Sequence, residues 1–168
     1  MIPEMEPKAT PGGEEKSPFA MVIIYDSTRA FGRGKALQEG LARGSLSGVE
    51  MECGSWSLEW LKDAQQREKA VIRLAAADMV VVSLTGPFFS TSHAPQMLLG
   101  LAGRKTPMAM VALIGERAAS YPESRALASS LNQIAVATGA TFFCAGWENT
   151  ECPSGHPPRV AENRPAAR

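Results

Sequence analysis

The chain alternates five short apolar runs with segments in which apolar residues recur at helical spacing. Strands buried on both faces are nearly continuous in apolar residues, and strands separated by helices form parallel crossovers, so this alternation predicts a parallel sheet. We expect a three-layer α/β sandwich whose five-stranded parallel sheet has the order 2-1-3-4-5. The predicted strands are residues 20–25, 49–53, 79–84, 108–114 and 140–144.

Four helices are predicted between and after these runs from the spacing of apolar positions. They cover 29–43, 58–77, 94–102 and a segment that opens with a capping box at 120–123 and ends at Gly139. Ser57 is the expected N-cap of the second helix. Its expected inward stripe is Leu61, Ala64, Glu68, Val71, Ile72 and Ala75.

The third predicted helix is apolar on more than one face, because Met97, Leu98, Leu99 and Leu101 all fall within it. Such a helix is either deeply buried or covered by a partner. A protein partner, including a second copy in a homodimer, is therefore one expectation.

Composition places the chain in the class of single-domain proteins. Its 168 residues are 45% hydrophobic and carry a formal net charge of zero, without blocks of basic residues, so neither nucleic acid nor membrane is an expected partner. Three cysteines and no secretory leader predict a cytoplasmic protein. We expect a folded body over 19–147, with a disordered arm at 1–18 and a disordered tail at 148–168.

The order 2-1-3-4-5 places a ligand crevice between the loops that follow the first and third strands. The first loop supplies Ser27, Thr28, Arg29 and Arg33 at a predicted helix start, where free backbone N–H groups and cations suit a small anion or phosphate. The alternative is that Ser27 or Thr28 only caps the helix and the cations are solvated. The complete phosphate-loop motifs are absent.

The second loop, residues 83–93, combines a turn signal with an aromatic pair. Thr85, Phe88 and Phe89 are candidate ligand contacts, since an aromatic side chain there would stack on a planar ring such as FMN. The alternative is that the pair folds back onto the core. His93 is the candidate catalytic residue, as a general base, against the alternative of an ordinary helix-start histidine.

No metal site is predicted. Cys144, Cys152 and His156 are soft ligands, but structural zinc usually takes four ligands with a Cys-x-x-Cys knuckle, which this sequence lacks.

Several local motifs together resemble a small bacterial family of flavodoxin-like or receiver-like proteins. The resemblance covers most of 19–147 and implies a fold but no activity. It rests on Tyr25-Asp26-Ser27, Trp56-x-Leu58-x-x-Leu61, Ala76-Ala77-Asp78-x-Val80-Val81-Val82-Ser83, and Phe142-Phe143 with Gly146-Trp147.

The sequence departs from both relatives at the positions that carry their chemistry. The Thr-Gly-x-Thr order of the flavodoxin phosphate loop is missing, and the third strand ends in Ser83-Leu84-Thr85 without the phosphoacceptor aspartate of a receiver. We therefore predict a non-catalytic ligand-binding or protein-interaction module of pseudo-receiver type. The alternative is an FMN- or nucleotide-binding protein of oxidoreductase type that uses the same crevice.

Overall fold

The computed structural model describes residues 17–104, 106–115 and 121–145, and of Tyr121 and Pro122 only the backbone. Nearly all of the predicted arm and the whole predicted tail lie outside the described residues. The same holds for Ser120 of the capping box, Trp147, Cys152 and His156, so the interpretations of those residues stay predictions.

The described strands form one parallel sheet in the order β2-β1-β3-β4-β5, which confirms the predicted flavodoxin-like α/β architecture. The strands are β1 (Phe19–Tyr25), β2 (Met51–Ser57), β3 (Met79–Leu84), β4 (Ala109–Ile114) and β5 (Thr141–Ala145). The helices are α1 (Thr28–Arg43), α2 (Ala64–Ala75), α3 (Ala94–Leu99) and α4 (Tyr121–Thr138), with a 3-10 turn at Trp60–Lys62.

The core has two parts because the central strands bury side chains on both faces. On one face, Val22 and Ile24 of β1 pack with residues of α2, α3 and α4. On the other face, Met21 and Ile23 pack with α1. The backbone of α1 comes close to the sheet at Gly34, where an added Cβ would lie 2.8 Å from Cγ2 of Ile23. Glycine is therefore required for this helix–sheet spacing.

The second strand and the second helix differ from their predicted bounds. β2 runs to Ser57 instead of ending at 53, because Gly54 and Ser55 continue the pairing with β1 despite their low strand propensity. The polypeptide then makes the 3-10 turn, in which Ser57 Oγ accepts the Trp60 N–H at 3.0 Å. The helix α2 starts only at Ala64, with Asp63 as its N-cap.

Leu61 of the predicted inward stripe is buried, but the rest of the stripe, which falls in α2, is wrong in phase. Val71 and Ile72 are 46% and 65% exposed, whereas Ala70 and Leu74 are buried. The 3-10 turn interrupts the helical periodicity that the prediction carried on from residue 58, which rotates the buried face of α2.

The apolar third helix is mostly buried in the main core. Leu98 is fully buried and Leu101 nearly so, while Leu99 is 44% exposed. In the described part of the chain, none of the helices has both the length and the apolar character that crossing a membrane requires.

Candidate functional site

A carboxylate at the end of β1 joins the loop after β1 to the loop after β3 at the C-terminal edge of the sheet. Asp26 follows β1 directly, and its Oδ2 accepts the backbone N–H of Gly86 at 2.7 Å and that of Thr85 at 2.8 Å. Its Oδ1 accepts the Thr85 hydroxyl at 3.0 Å. Hydrogen bonds to an ionised carboxylate are roughly twice as strong as neutral ones, so this network fixes the loop after β3 against the end of β1.

Ser27 adds a second connection between the same loops. It is the N-cap of α1, and its Oγ accepts the Ala30 N–H at 3.2 Å. The same Oγ lies 2.9 Å from Oγ1 of Thr85, in a hydrogen bond that either hydroxyl can donate. Ser27, which was predicted to bind a phosphate, and Thr85, a predicted ligand contact, are therefore engaged in holding the two loops together.

A cleft of about 480 Å³ opens beside this network, between the segment after β2 and the loop after β3. Phe88 lines it with a side chain that is 68% exposed, and Leu58 provides a second apolar wall. This exposed aromatic surface is available to a planar ligand. The complete lining is Asp26, Leu58, Glu59, Lys62, Phe88, Thr91, Ser92 and His93.

The side chains that line the cleft include more acids than lysines. Two acids, Asp26 and Glu59, face one lysine, Lys62, and one histidine. Lys62 Nζ lies 2.6 Å from Glu59 Oε2, and both side chains are mostly exposed. A ligand that carries several negative charges would meet the Asp26 carboxylate without an unpaired cation to offset it, so the cleft favours a ligand of low net charge.

The hydroxyls of the cleft mainly organise its own loop. Thr91 Oγ1 donates to the Phe88 carbonyl at 3.1 Å, and Ser92 Oγ donates to the Phe89 carbonyl at 2.6 Å. The Ser92 hydroxyl also accepts the Ala94 N–H at the start of α3. These bonds hold the backbone of 88–92 in a compact turn, which presents the Phe88 ring outward.

The structure brings only some of the predicted ligand contacts to the cleft. Phe88 and His93 line it, whereas Phe89 is fully buried in the main core and offers no surface to a ligand. Thr28 and Arg29 are exposed in the first turn of α1, outside the residues that line the cleft. Thr85 is not among the residues that line the cleft, and its N–H and hydroxyl are bonded to Asp26.

Arg33 is directed toward the C-terminal ends of β3 and β4 instead of the cleft. Its Nη2 donates to the Leu84 carbonyl at 3.4 Å, and its guanidinium packs where a side chain on Gly115 would otherwise lie. Its Nε is buried without a hydrogen-bond partner among the described residues. Arg33 therefore does not join Ser27 and Arg29 in one set of phosphate ligands.

Ser83 and Asp26, the side chains that His93 would need as catalytic partners, already form hydrogen bonds within the fold. Ser83 is fully buried and donates its hydroxyl to the Ala30 carbonyl at 2.7 Å. Asp26 accepts the backbone N–H of Gly86 in the loop after β3. His93 itself is the exposed N-cap residue of α3, and its side chain does not cap the helix. Within the described ranges, no three His, Cys, Asp or Glu side chains are placed to hold a metal ion.

The sequence did not predict that the segment after β2 lines the cleft. Leu58, Glu59 and Lys62 line the cleft, but the sequence assigned all three to a long second helix. Asp63 was the available signal, since an aspartate before a run of helix formers is a strong N-cap and marks a later start.

The structure is similar to a flavodoxin of Streptococcus pneumoniae TIGR4, with a TM-score of 0.49 and 11% sequence identity. The match covers 79% of this chain and 87% of that chain. No protein-family model matches this sequence, and no curated protein matches it. Because one fold hosts many unrelated functions, the residues of the cleft carry the functional inference.

Proposed function

We propose that this protein is a non-catalytic binding module that holds a small planar ligand of low net charge against Phe88. The observation that carries the proposal is the 68% exposed Phe88 side chain on the wall of a cleft of about 480 Å³. An aromatic ring left in water beside a concave site is a ready stacking surface, and pockets of this size suit small molecules.

The chemistry of the neighbouring groups supports binding without a reaction. Asp26 and Ser83 are the groups His93 would need as catalytic partners, and both are committed to hydrogen bonds that hold the fold. General acid–base catalysis requires a group free to exchange a proton with the substrate. The ligand is therefore expected to leave the cleft chemically unchanged.

Binding of FMN or a nucleotide is the second candidate, and one observation favours it. Thr28 and Arg29 are exposed in the first turn of α1, which contains no acidic residue. A helix start with free N–H groups and a nearby cation suits a phosphate. In this case the phosphate, more than the ring, would supply the affinity.

A small probe panel separates the two candidates. Riboflavin, FMN, adenosine and AMP are titrated against the protein by calorimetry and by thermal unfolding, because a probe at about 100 times its Kd stabilises the fold by roughly 2.7 kcal/mol. We expect a ring compound without a phosphate to bind at least as tightly as its phosphorylated counterpart, because the Asp26 carboxylate lies in the cleft. Phosphate-dependent binding that is lost in Arg29→Ala would establish the second candidate instead.

The Phe88→Ala variant tests the stacking surface itself. Stacking on an aromatic side chain contributes about 1–3 kcal/mol, so binding of the ring compound should weaken by about tenfold or more. Phe143→Ala is the matched control, since that side chain is 54% exposed on β5 and does not line the cleft. Equal affinity of the two variants, or no binding by any of the four probes, would overturn the proposal.

A further inference from the structure

The second strand leaves hydrogen-bonding groups open along one edge of the sheet. Among the described residues, β2 pairs only with β1. Glu50 accepts the Phe19 N–H and Leu58 donates to the Tyr25 carbonyl, so the even-numbered residues of β2 direct their N–H and C=O groups toward β1. The odd-numbered residues therefore direct theirs outward. These are Met51, Cys53, Ser55 and Ser57.

Among the residues that the structure describes, this edge lacks the usual protection against pairing with another strand. Exposed edges are normally blocked by lysine, proline, a bulge or a covering segment, and the four outward positions carry neither lysine nor proline. A cavity of about 400 Å³ lies beside the edge instead. It is lined by Gly54, Ser55 and Trp56 of β2 and by Lys69, Ile72 and Arg73 of α2.

We propose that a second copy of this chain pairs its β2 with this edge. A two-fold axis that relates an edge to itself makes the two strands antiparallel. Full overlap of residues 51–57 then places Gly54 on the axis. The hydrogen-bonded pairs become Cys53 with Ser55 of the second copy and Met51 with Ser57 of the second copy, which uses all four outward-facing residues.

The residue on the axis suits the close approach that this register requires. The two Gly54 residues form a non-hydrogen-bonded pair, in which Cα atoms approach to about 4.5 Å. Gly54 has no side chain to obstruct this, and the ring of its own Trp56 already occupies the space where a Cβ would lie, at 2.7 Å.

Charge complementarity also favours a second copy as the occupant. Glu52 lies on the α2 side of β2, where its carboxylate pairs with Arg73 at 3.1 Å while both side chains stay more than half exposed. The register sets Glu52 of the second copy opposite Trp56, beside Lys69 and Arg73. Each copy thus offers one acid and receives one, and the 65% exposed Ile72 adds apolar surface on the same side.

Sedimentation velocity of the full chain over a wide concentration range tests the proposal, with a dimer as the expected result. Lys69→Glu and Glu52→Lys each turn two attractive contacts into repulsive ones, so each should raise the dimer dissociation constant by about tenfold or more. An equal mixture of the two variants should form heterodimers more tightly than either variant forms homodimers, because residues 52 and 69 of the two copies again carry opposite charges. Glu68→Lys, on α2 but outside the cavity lining, is the control and should dimerise normally.

Ser55→Pro provides a second measurement, since it removes an outward N–H and leaves the hydrogen bonds to β1 intact. Circular dichroism verifies that each variant is folded. A folded Ser55→Pro monomer and recovery of the dimer in the mixture both support the β2 interface. A wild-type protein that is monomeric at every concentration, a dimer that tolerates all three edge variants, or a mixture that fails to recover would overturn it.

Discussion

Two substitutions of Asp26 should destabilise the fold by different amounts. Asp26→Asn removes the negative charge and keeps the hydrogen-bonding groups, whereas Asp26→Ala removes both. The carboxylate accepts two backbone N–H groups and one hydroxyl, in a partly buried position. In Asp26→Asn, the amide oxygen can keep both N–H groups of Thr85 and Gly86, and the Thr85 hydroxyl can rotate to accept from the new NH₂. Only the ionic strengthening of the bonds is then lost.

The magnitudes follow from the bonds that each variant keeps. A hydrogen bond to a charged group contributes about 1.5–3 kcal/mol and a neutral one about 0.5–1.5. Weakening of the three bonds, reduced by solvent screening in this partly exposed site, predicts a loss of about 1–1.5 kcal/mol for Asp26→Asn. Asp26→Ala leaves the partly buried N–H groups of Thr85 and Gly86 without this acceptor, and we expect a loss of about 3 kcal/mol.

Urea unfolding followed by circular dichroism measures both losses. With a denaturant slope of about 2 kcal/mol/M, the midpoint should fall by about 0.6 M for Asp26→Asn and about 1.5 M for Asp26→Ala. Glu68→Gln is the control, as an exposed acid on α2. Amide exchange at Thr85 and Gly86 should accelerate in the alanine variant. A loss below about 0.5 kcal/mol for Asp26→Ala, or equal losses for the two variants, would refute the assigned role.

Two further predictions concern packing and ionisation. Gly34→Val should lower the free energy of unfolding by about 1–3 kcal/mol because a side chain there meets Ile23, whereas Gly32→Ala, which meets nothing within 4 Å, should raise it by about 0.5–1 kcal/mol. Thermal unfolding of both variants checks this pair, and a stable Gly34→Val protein would contradict the close helix–sheet contact. Burial raises the pKa of the Cys53 thiol above 9.0, against the opposing effect of Lys35, so the folded state favours the neutral thiol. The resulting stability should be complete below about pH 9 and decline as pH rises through the raised pKa, and Cys53→Ser, compared by urea titrations at neutral and alkaline pH, should reduce that decline.

Local sequence was sufficient for the scaffold because its elements depend on local patterns. Each buried strand is a nearly continuous apolar run, and Ser27 is a strong N-cap signal directly before α1. With helices between the strands, the right-handed crossover rule leaves few strand orders, and the order 2-1-3-4-5 is among them. The same reasoning placed a site at the C-terminal edge of the sheet.

The residues that line the cleft on the β2 side could not be predicted without knowing where α2 begins. A continuous helical pattern from residue 58 placed Leu58 and Lys62 on a helix, and the break before Ala64 became visible only in the structure. Propensity alone does not distinguish a 3-10 turn followed by a capped helix from one longer helix, since both satisfy similar local preferences.

Only the tertiary structure decided which residues of the two loops line the cleft. Phe88 and Phe89 are identical neighbours, yet one is 68% exposed and the other fully buried, because a turn held by the hydroxyls of Thr91 and Ser92 directs one ring into the core and the other into water. The bond from Gly86 to Asp26 joins residues 60 positions apart. No local pattern encodes such a contact, since it forms only when parallel strands bring two loops to the same edge of the sheet.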